Sequence, residues 1–215
     1  MVVFDLDGTL VRYHGVEFES SWGAIAAAAG VQEASDRLLR EYLPRPEAYR
    51  EWVEQDAALL TGVPVARVAA AVFPPPYAEG VVEAVARLRG RYRMGILSSG
   101  VDLVANRVRD ELDMAFAVAN RLEIRDGIFT GGGEMIVDLW TKHEALERVS
   151  REYGVPLAEV CFVGDHLNDA VAMERVGLGI AYNPKHDDLI RAADRVTSAF
   201  GEIPDLIEAY ERQVQ

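Results

Sequence analysis

The chain has 215 residues and a formal net charge of −13 at pH 7, because 35 acidic side chains outnumber 22 lysines and arginines. This length suffices for one core and a small accessory module, and the negative charge argues against nucleic acid as a partner. No apolar run approaches the roughly 18 residues of a membrane span, and an apolar strand pattern near the first residue argues against a signal segment. We therefore expect a cytoplasmic protein without a membrane partner.

The first predicted element is a buried parallel strand at residues 2–4, which ends in Asp5 and Asp7. Side chains two residues apart point the same way on an extended chain, so both carboxylates would reach one ligand. Two such charges close together require a cation, and Mg²⁺ takes carboxylates, waters and phosphate oxygens as ligands. The alternative is a simple turn after the strand, because Asp-Gly is a common turn pair.

Residues 12–76 show helical periodicity and no strand signal. Helices are predicted in residues 20–29, 50–60 and about 64–73, the first two ending at glycines. We interpret the stretch as an all-helical cap inserted after the first strand, with hinges at its two ends, where closure motion would be absorbed.

A second predicted strand, residues 94–97, runs into Ser98, Ser99 and Gly100 and then into a helical pattern. Backbone N–H groups at such a helix start favour phosphate, and a serine hydroxyl adds a donor. A serine that merely caps an ordinary helix is the alternative.

The chain has 20 arginines but only two lysines, Lys142 and Lys185. A compact ammonium fits beside a carboxylate and a phosphoryl oxygen, although a chance surface lysine is the alternative. A third predicted strand, residues 160–163, leads to Asp165 and Asp169. Acids at two strand ends, a hydroxyl at another and a lysine between them together predict a site for phosphate and magnesium.

Outside the cap, strands and helices alternate, which predicts an α/β fold with a doubly wound, mostly parallel sheet and helices on both faces. A hairpin over residues 122–129, turned by Asp126-Gly127, is expected near the sheet edge. The predicted domains are a catalytic core of residues 1–11 and 77–215 and a helical cap of residues 12–76.

The order of these motifs resembles the haloacid-dehalogenase superfamily of phosphohydrolases, and most closely its phosphoserine phosphatase branch. The four matching motifs are residues 5–9, Ser98, Lys142 and residues 164–169. Three further segments are similar to that branch, namely residues 119–122, 127–131 and 177–181. The resemblance covers nearly the whole chain outside residues 12–76, and it implies a Rossmann-like core with an inserted cap.

The resemblance implies that Asp5 attacks phosphorus and forms an aspartyl-phosphate. Asp7 would protonate the leaving alkoxide and later take a proton from the attacking water, while Thr9 would orient Asp7. Mg²⁺ would be held by Asp5, by the backbone carbonyl of Asp7 and by Asp165, with Asp169 steadying the site.

The same resemblance assigns the phosphoryl oxygens to Ser98, with Ser99 beside it, and to Lys142, which also faces the charge of Asp5. Asn168 would be a further donor, and Gly100 would support the loop.

Substrate choice depends on the cap. Phosphoserine phosphatases contact the serine amine with a cap glutamate and its carboxylate with a cap arginine, and neither expected charge stands at the matching positions here. The candidates are His14 and Asp56 at those positions, Glu17 or Glu19 as the acid, and Arg45 or Arg50 as the base. The predicted partner is a small phosphorylated metabolite, either phosphoserine or another ester such as phosphoglycolate, a sugar phosphate or an amino-alcohol phosphate. A phosphotransferase or phosphomutase on the same scaffold is the further alternative.

Overall fold

A computed structural model describes residues 1–214 of the protein. The strands are β1 (Val2–Phe4), β2 (Met94–Val101), β3 (Phe116–Arg125), β4 (Ile128–Glu134), β5 (Cys161–Gly164), β6 (Leu178–Tyr182) and β7 (Arg195–Thr197). The helices are α1 (Ser21–Ala29), α2 (Gln32–Tyr42), α3 (Tyr49–Ala58), α4 (Val65–Val72), α5 (Val81–Leu88), α6 (Asp102–Glu111), α7 (Lys142–Tyr153), α8 (Ala170–Met173), α9 (Asp187–Ala192) and α10 (Ile203–Val214).

The strands form one sheet in the order β4-β3-β2-β1-β5-β6-β7, and β4 alone runs antiparallel to its neighbour. In the register, Phe4 at the end of β1 lies beside Ile96 of β2 and Val163 of β5. Because these three strands are parallel and level, the residues that follow them meet at one edge of the sheet. The predicted fold class, a doubly wound and mostly parallel sheet, is confirmed.

Alternate residues of the central strand enter separate apolar clusters on the two faces of the sheet. Val2 and Phe4 belong to a cluster that includes buried side chains of α5, α6 and α10, whereas Val3 belongs to one that includes α7, α8 and α9. The sheet is therefore covered on both faces, which explains why β1 is apolar throughout rather than alternating.

Four helices, α1 to α4, occupy the segment between β1 and the next core helix. The glycine after α1 adopts the left-handed conformation, with φ 81° at Gly30, which is the predicted stop. The sequence patterns do not delimit α2, which begins only three residues after α1 ends. The separation of these helices as a cap domain stays a prediction.

The predicted hairpin is present as β3 and β4, and φ is positive at both turn residues, 51° at Asp126 and 75° at Gly127. Its second strand is bonded to the segment after α3: Gly62 donates to the Phe129 carbonyl at 2.9 Å, and Phe129 donates to the Val63 carbonyl at 3.0 Å. The four-helix segment thus contacts the sheet edge away from its own chain connections. Among residues 1–214, none of the helices is both long and apolar enough to cross a membrane.

Candidate active site

The fold brings Lys142, the first residue of α7, between two carboxylates at the sheet edge. Its Nζ lies 3.0 Å from Asp5 Oδ1 and 2.5 Å from Asp169 Oδ1, and its side chain is fully buried. Burial by itself lowers the pKa of Lys142, but the charges of Asp169 and Asp5 outweigh burial and raise this pKa above its usual value. The lysine is therefore a fixed positive charge beside Asp5.

Asp169 also organises the turn after β5. Its Oδ2 accepts hydrogen bonds from the backbone N–H groups of Asp165, at 3.1 Å, and His166, at 3.2 Å. Both Asp169 oxygens are thus engaged, one by Lys142 and one by the backbone. This residue supports the site by holding two of its neighbours in place.

The buried carboxylates of Asp5, Asp165 and Asp169 each have an oxygen within 4.8 Å of the others, which is close enough for one metal ion. Apart from the ion pair with Lys142, the buried Asp5 Oδ1 has no partner among the described residues. Burial, followed by the charges of Asp169 and Asp5, raises the pKa of Asp165 to about 8. A set of carboxylates crowded in this way fits a hard divalent cation.

Thr9 contacts Asp165 and not Asp7. Its Oγ1 donates to Asp165 Oδ1 at 3.1 Å. Gly8 brings the loop this close, since it adopts φ +81° and a Cβ there would lie 2.3 Å from Asp165 Oδ2. The expected contact of Thr9 with Asp7 is therefore wrong, because the turn after β1 directs this hydroxyl toward the adjacent strand β5.

Asp7 is held instead by Ser21, at the start of α1. The Ser21 backbone N–H donates to Asp7 Oδ1 at 2.9 Å, and its Oγ donates to Asp7 Oδ2 at 2.7 Å. Burial raises the pKa of Asp7 to about 7, although the hydrogen bonds from Ser21 act in the opposite direction. A carboxyl group near this value can release and take up a proton at neutral pH. The residues around Asp5 and Asp7 carry no signal for this contact, because Ser21 lies in the inserted segment.

Strand β2 extends to Val101, so it continues through the predicted phosphate loop, residues 98–100. Ser98 Oγ accepts the Gly100 N–H at 3.1 Å, while the N-cap position of α6 is Val101. Ser98 is therefore not a helix cap, contrary to the alternative interpretation. A Cβ at Gly100 would lie 2.4 Å from Asp7 Oδ2, so the loop packs directly against the second acid.

The Ser99 carbonyl connects the phosphate loop to the cap segment through hydrogen bonds. It accepts hydrogen bonds from Trp22 Nε1 at 3.1 Å, from the Tyr49 hydroxyl at 3.2 Å and from Asn120 Nδ2 at 2.8 Å. Asn120 is fully buried and also donates to the Tyr49 hydroxyl at 3.1 Å. The sequence marks residues 119–122 only as a resemblance, so this positioning role comes from the structure.

A cavity of about 580 Å³ opens above these residues, between the sheet edge and helices α1 to α3. Its core lining contains most of the predicted site, namely Asp5, Asp7, Ser98, Ser99, Gly100, Asp165 and Asn168. The cap contributes Glu17 and Asp56 from the predicted set. The structure therefore brings the core motifs and two of the cap candidates to one space.

The other cap candidates lie outside the lining of this cavity. Arg45 is 3.8 Å from Glu41 and 4.0 Å from Glu47, on the outer surface, and Arg50 is also exposed. His14 faces the carboxylate of Glu19 at 3.5 Å. Neither arginine thus brings a guanidinium to the cavity, as a cap arginine for a substrate carboxylate would.

Comparison with known proteins agrees with the geometry. The family model for haloacid dehalogenase-like hydrolases matches residues 2–174. The chain belongs to this family. The predicted membership of the haloacid-dehalogenase superfamily is confirmed. The strand-end acids, the serine and the lysine described above lie within the matched residues.

Two curated relatives of this hydrolase are named phosphoserine phosphatase. The protein from Methanocaldococcus jannaschii is 30% identical over 188 residues, covering 86% of each chain. The protein from Archaeoglobus fulgidus is 32% identical over 187 residues, covering 86% of this chain and 53% of its own, so this chain spans about half of that relative. A solved structure described as a phospho-aspartyl intermediate analogue of phosphoserine phosphatase superposes with a TM-score of 0.77, at 29% identity, over 95% of this chain and 97% of that one.

Proposed function

We propose that this hydrolase is a Mg²⁺-dependent phosphatase that transfers the phosphoryl group of a small phosphomonoester, phosphoserine or a similar metabolite, first to Asp5 and then to water. The relatives' names and the phospho-aspartyl analogue structure confirm the predicted class, a phosphoric monoester hydrolase. The observation that carries the proposal is the placement of Asp5 and Asp7 in one cavity, with Lys142 buried 3.0 Å from Asp5.

In this arrangement Asp5 is the nucleophile. Its carboxylate oxygen forms the bond to phosphorus while the bond from phosphorus to the ester oxygen breaks. Lys142 would offset the negative charge that accumulates where a phosphate approaches a carboxylate. Ser98 and Asn168 line the same space, where a hydroxyl and an amide would donate to the phosphoryl oxygens.

Asp7 is the proton donor and acceptor. An alkoxide is a poor leaving group, so the ester oxygen needs a proton as it departs, and Asp7 would supply it. In the second step Asp7 would take a proton from the water whose oxygen attacks phosphorus, while the bond from phosphorus to the Asp5 oxygen breaks and inorganic phosphate leaves. Its two hydrogen bonds from Ser21 fix the carboxyl group in the orientation that both steps use.

The carboxylates of Asp5 and Asp165 and the backbone carbonyl of Asp7 would hold Mg²⁺. When bound, this ion supplies positive charge that lets the phosphate approach Asp5 and stabilises the transition state. Thr9 and Lys185 support Asp165, at 3.1 and 3.4 Å from its two oxygens. The cytoplasmic location and the absence of a nucleic-acid partner stay predictions from the sequence.

The proposal is tested by measuring phosphate release in the presence of Mg²⁺. The substrates are a panel of small phosphomonoesters that includes O-phosphoserine. The Asp5→Asn variant should lose turnover, and the Asp7→Asn variant should lose most of it. Glu33→Gln, which changes an exposed residue of α2 outside the cavity, is the matched control and should retain it.

Acid quenching during turnover should trap phosphate on Asp5. Normal turnover in Asp5→Asn would contradict the mechanism, and phosphate recovered on a second alcohol instead of water would indicate a phosphotransferase.

A further inference from the structure

The cap side of the cavity has aromatic walls. The aromatic residues in the cavity lining are Phe18, Trp22, Tyr49 and Trp52 from the cap and Trp140 from the core. Trp22 and Tyr49 both donate to the Ser99 carbonyl, and the Tyr49 and Trp52 rings meet edge to face with centroids 5.7 Å apart. Trp22, Tyr49 and Trp52 are therefore held beside the phosphate loop. The faces of such aromatic rings attract ammonium groups.

Acidic side chains complete the same wall. Glu17, Asp36 and Asp56 line the cavity from the cap. Asp56 is only 8% exposed, and its Oδ1 accepts a hydrogen bond from Ser35 Oγ at 2.9 Å. Burial raises the pKa of Asp56 to about 6, which leaves the group ionised at pH 7.5. A cation in this half of the cavity would meet opposite charges, whereas a carboxylate would meet like charges.

Positive groups are scarce in the same lining. Within residues 1–214, none of the 20 arginines lines the cavity. Lys185 does, but its Nζ lies 3.3 Å from Glu19 Oε2 and 3.4 Å from Asp165 Oδ2, so two carboxylates already share its charge. The Nε2 atoms of His166 and His186 lie 3.2 Å apart and can hydrogen-bond only if one of them is unprotonated.

We infer that this cavity selects phosphomonoesters whose alcohol carries an ammonium group and no carboxylate. The inference rests on the proposed phosphatase function and adds its substrate class. The phosphoryl group would lie at Asp5, and the ammonium group would lie between the aromatic rings and the carboxylate of Asp56. Phosphoserine carries the same amine, but its carboxylate would find no free cation on the cap side.

Three esters of similar size separate these contributions: O-phosphoethanolamine has the amine alone, O-phosphoserine adds a carboxylate, and 2-hydroxyethyl phosphate has neither charge. We expect kcat/KM for O-phosphoethanolamine to exceed both others at least about fivefold, since a cation–π contact or an ion pair contributes on the order of 1 kcal/mol. The measurement is phosphate release by the full chain with Mg²⁺ at pH 7.5.

Substitution of the cap acids Asp56 and Asp36 tests whether the cap causes the preference for the amine ester. Asp56→Asn should lower the ratio of kcat/KM for O-phosphoethanolamine to that for 2-hydroxyethyl phosphate about fivefold, mainly through KM. Glu54→Gln is the matched control, because Glu54 is exposed on the same helix α3 and lies outside the cavity lining. Asp36→Asn tests the same wall from α2 if Asp56→Asn does not fold.

A preference for the amine ester of less than fivefold over either competitor contradicts the inference and leaves the phosphatase function intact. An unchanged substrate ratio in both Asp56→Asn and Asp36→Asn contradicts the placement of the ammonium group. Absence of turnover with all three esters and with the wider panel would overturn the proposed function and this inference together.

Discussion

The hydrogen bonds from Ser21 to Asp7 can be tested by removing the serine hydroxyl. Ser21 is fully buried, and its Oγ donates to Asp7 Oδ2 at 2.7 Å while accepting the Val101 N–H at 3.1 Å. Ser21→Ala removes both bonds and leaves the backbone N–H of Ser21 on Asp7 Oδ1. The change therefore loosens the proposed general acid without altering its chemistry.

The size of the effect follows from the two lost bonds. A hydrogen bond to a charged group contributes about 1.5–3 kcal/mol, so kcat should fall about 10- to 100-fold if this bond orients Asp7 in the transition state. The Val101 N–H, which is buried, loses its acceptor, and an unsatisfied buried donor costs about 1–3 kcal/mol. We expect the free energy of unfolding to fall by a similar amount.

Ser20→Ala is the matched control. Ser20 is the N-cap of the same helix α1, and its Oγ accepts the Gly23 N–H at 3.1 Å without contacting Asp7. Loss of this cap should cost about 1 kcal/mol of stability and leave kcat within about twofold. Steady-state phosphate release and urea unfolding of both variants give the two quantities.

A normal kcat in Ser21→Ala, measured on protein shown to be folded, would refute the role of this serine. Equal losses of kcat in the two variants would also refute it, because helix stability alone would then account for the change.

Three further predictions concern the buried charges and the packed loop. Lys142→Met leaves the buried Asp169 without its ammonium partner, so urea unfolding should show a loss of about 3–5 kcal/mol. Asp56 binds its proton more tightly in the folded state, where its pKa is raised from 3.8 to about 6, so the free energy of unfolding should fall by up to about 3 kcal/mol as pH rises through this window. The raised pKa values of Asp7 and Asp165 add losses over the same range, so Asp56→Asn should make the fall in unfolding free energy between pH 4 and pH 7 smaller by the share of Asp56 without abolishing it. Gly100→Ala places a methyl group 2.4 Å from Asp7 Oδ2 and should lower kcat about 100-fold or more with an unchanged circular dichroism spectrum.

Each of these three variants has a matched control and an outcome that would contradict the prediction. Lys185→Met removes a partly exposed ammonium and should cost far less than Lys142→Met, so equal losses would contradict the buried ion pair. Glu54→Gln should keep the full pH dependence that Asp56→Asn reduces, and a wild-type profile in both would mean that Asp56 does not titrate as described. Gly201→Ala adds a methyl group with nothing within 4 Å, so a similar loss of kcat there would rule out the steric explanation.

The sequence by itself determined the core of the site. Each acid, serine or lysine of the motifs follows an apolar run or begins a helix, and such patterns are encoded within a few neighbouring residues. Parallel strands place those ends at one edge, so the sequence alone predicts that Asp5, Ser98 and Asp165 lie close together.

Contacts between distant segments were decided only by the tertiary structure. The resemblance pairs Thr9 with its near neighbour Asp7, but its partner Asp165 lies 156 positions away. Ser21 holds Asp7 from the inserted segment, and Asn120 binds the Ser99 carbonyl from strand β3. Such pairings depend on how whole elements pack.

The composition of the cavity depends on the tertiary structure for the same reason. The sequence offers Arg45, Arg50 and Asp56 as cap candidates, and helix packing turns both arginines to the surface and Asp56 to the cavity. Local patterns therefore encode the shared chemistry of the sheet edge, whereas the side chains that select the substrate are set by the packing of the cap helices.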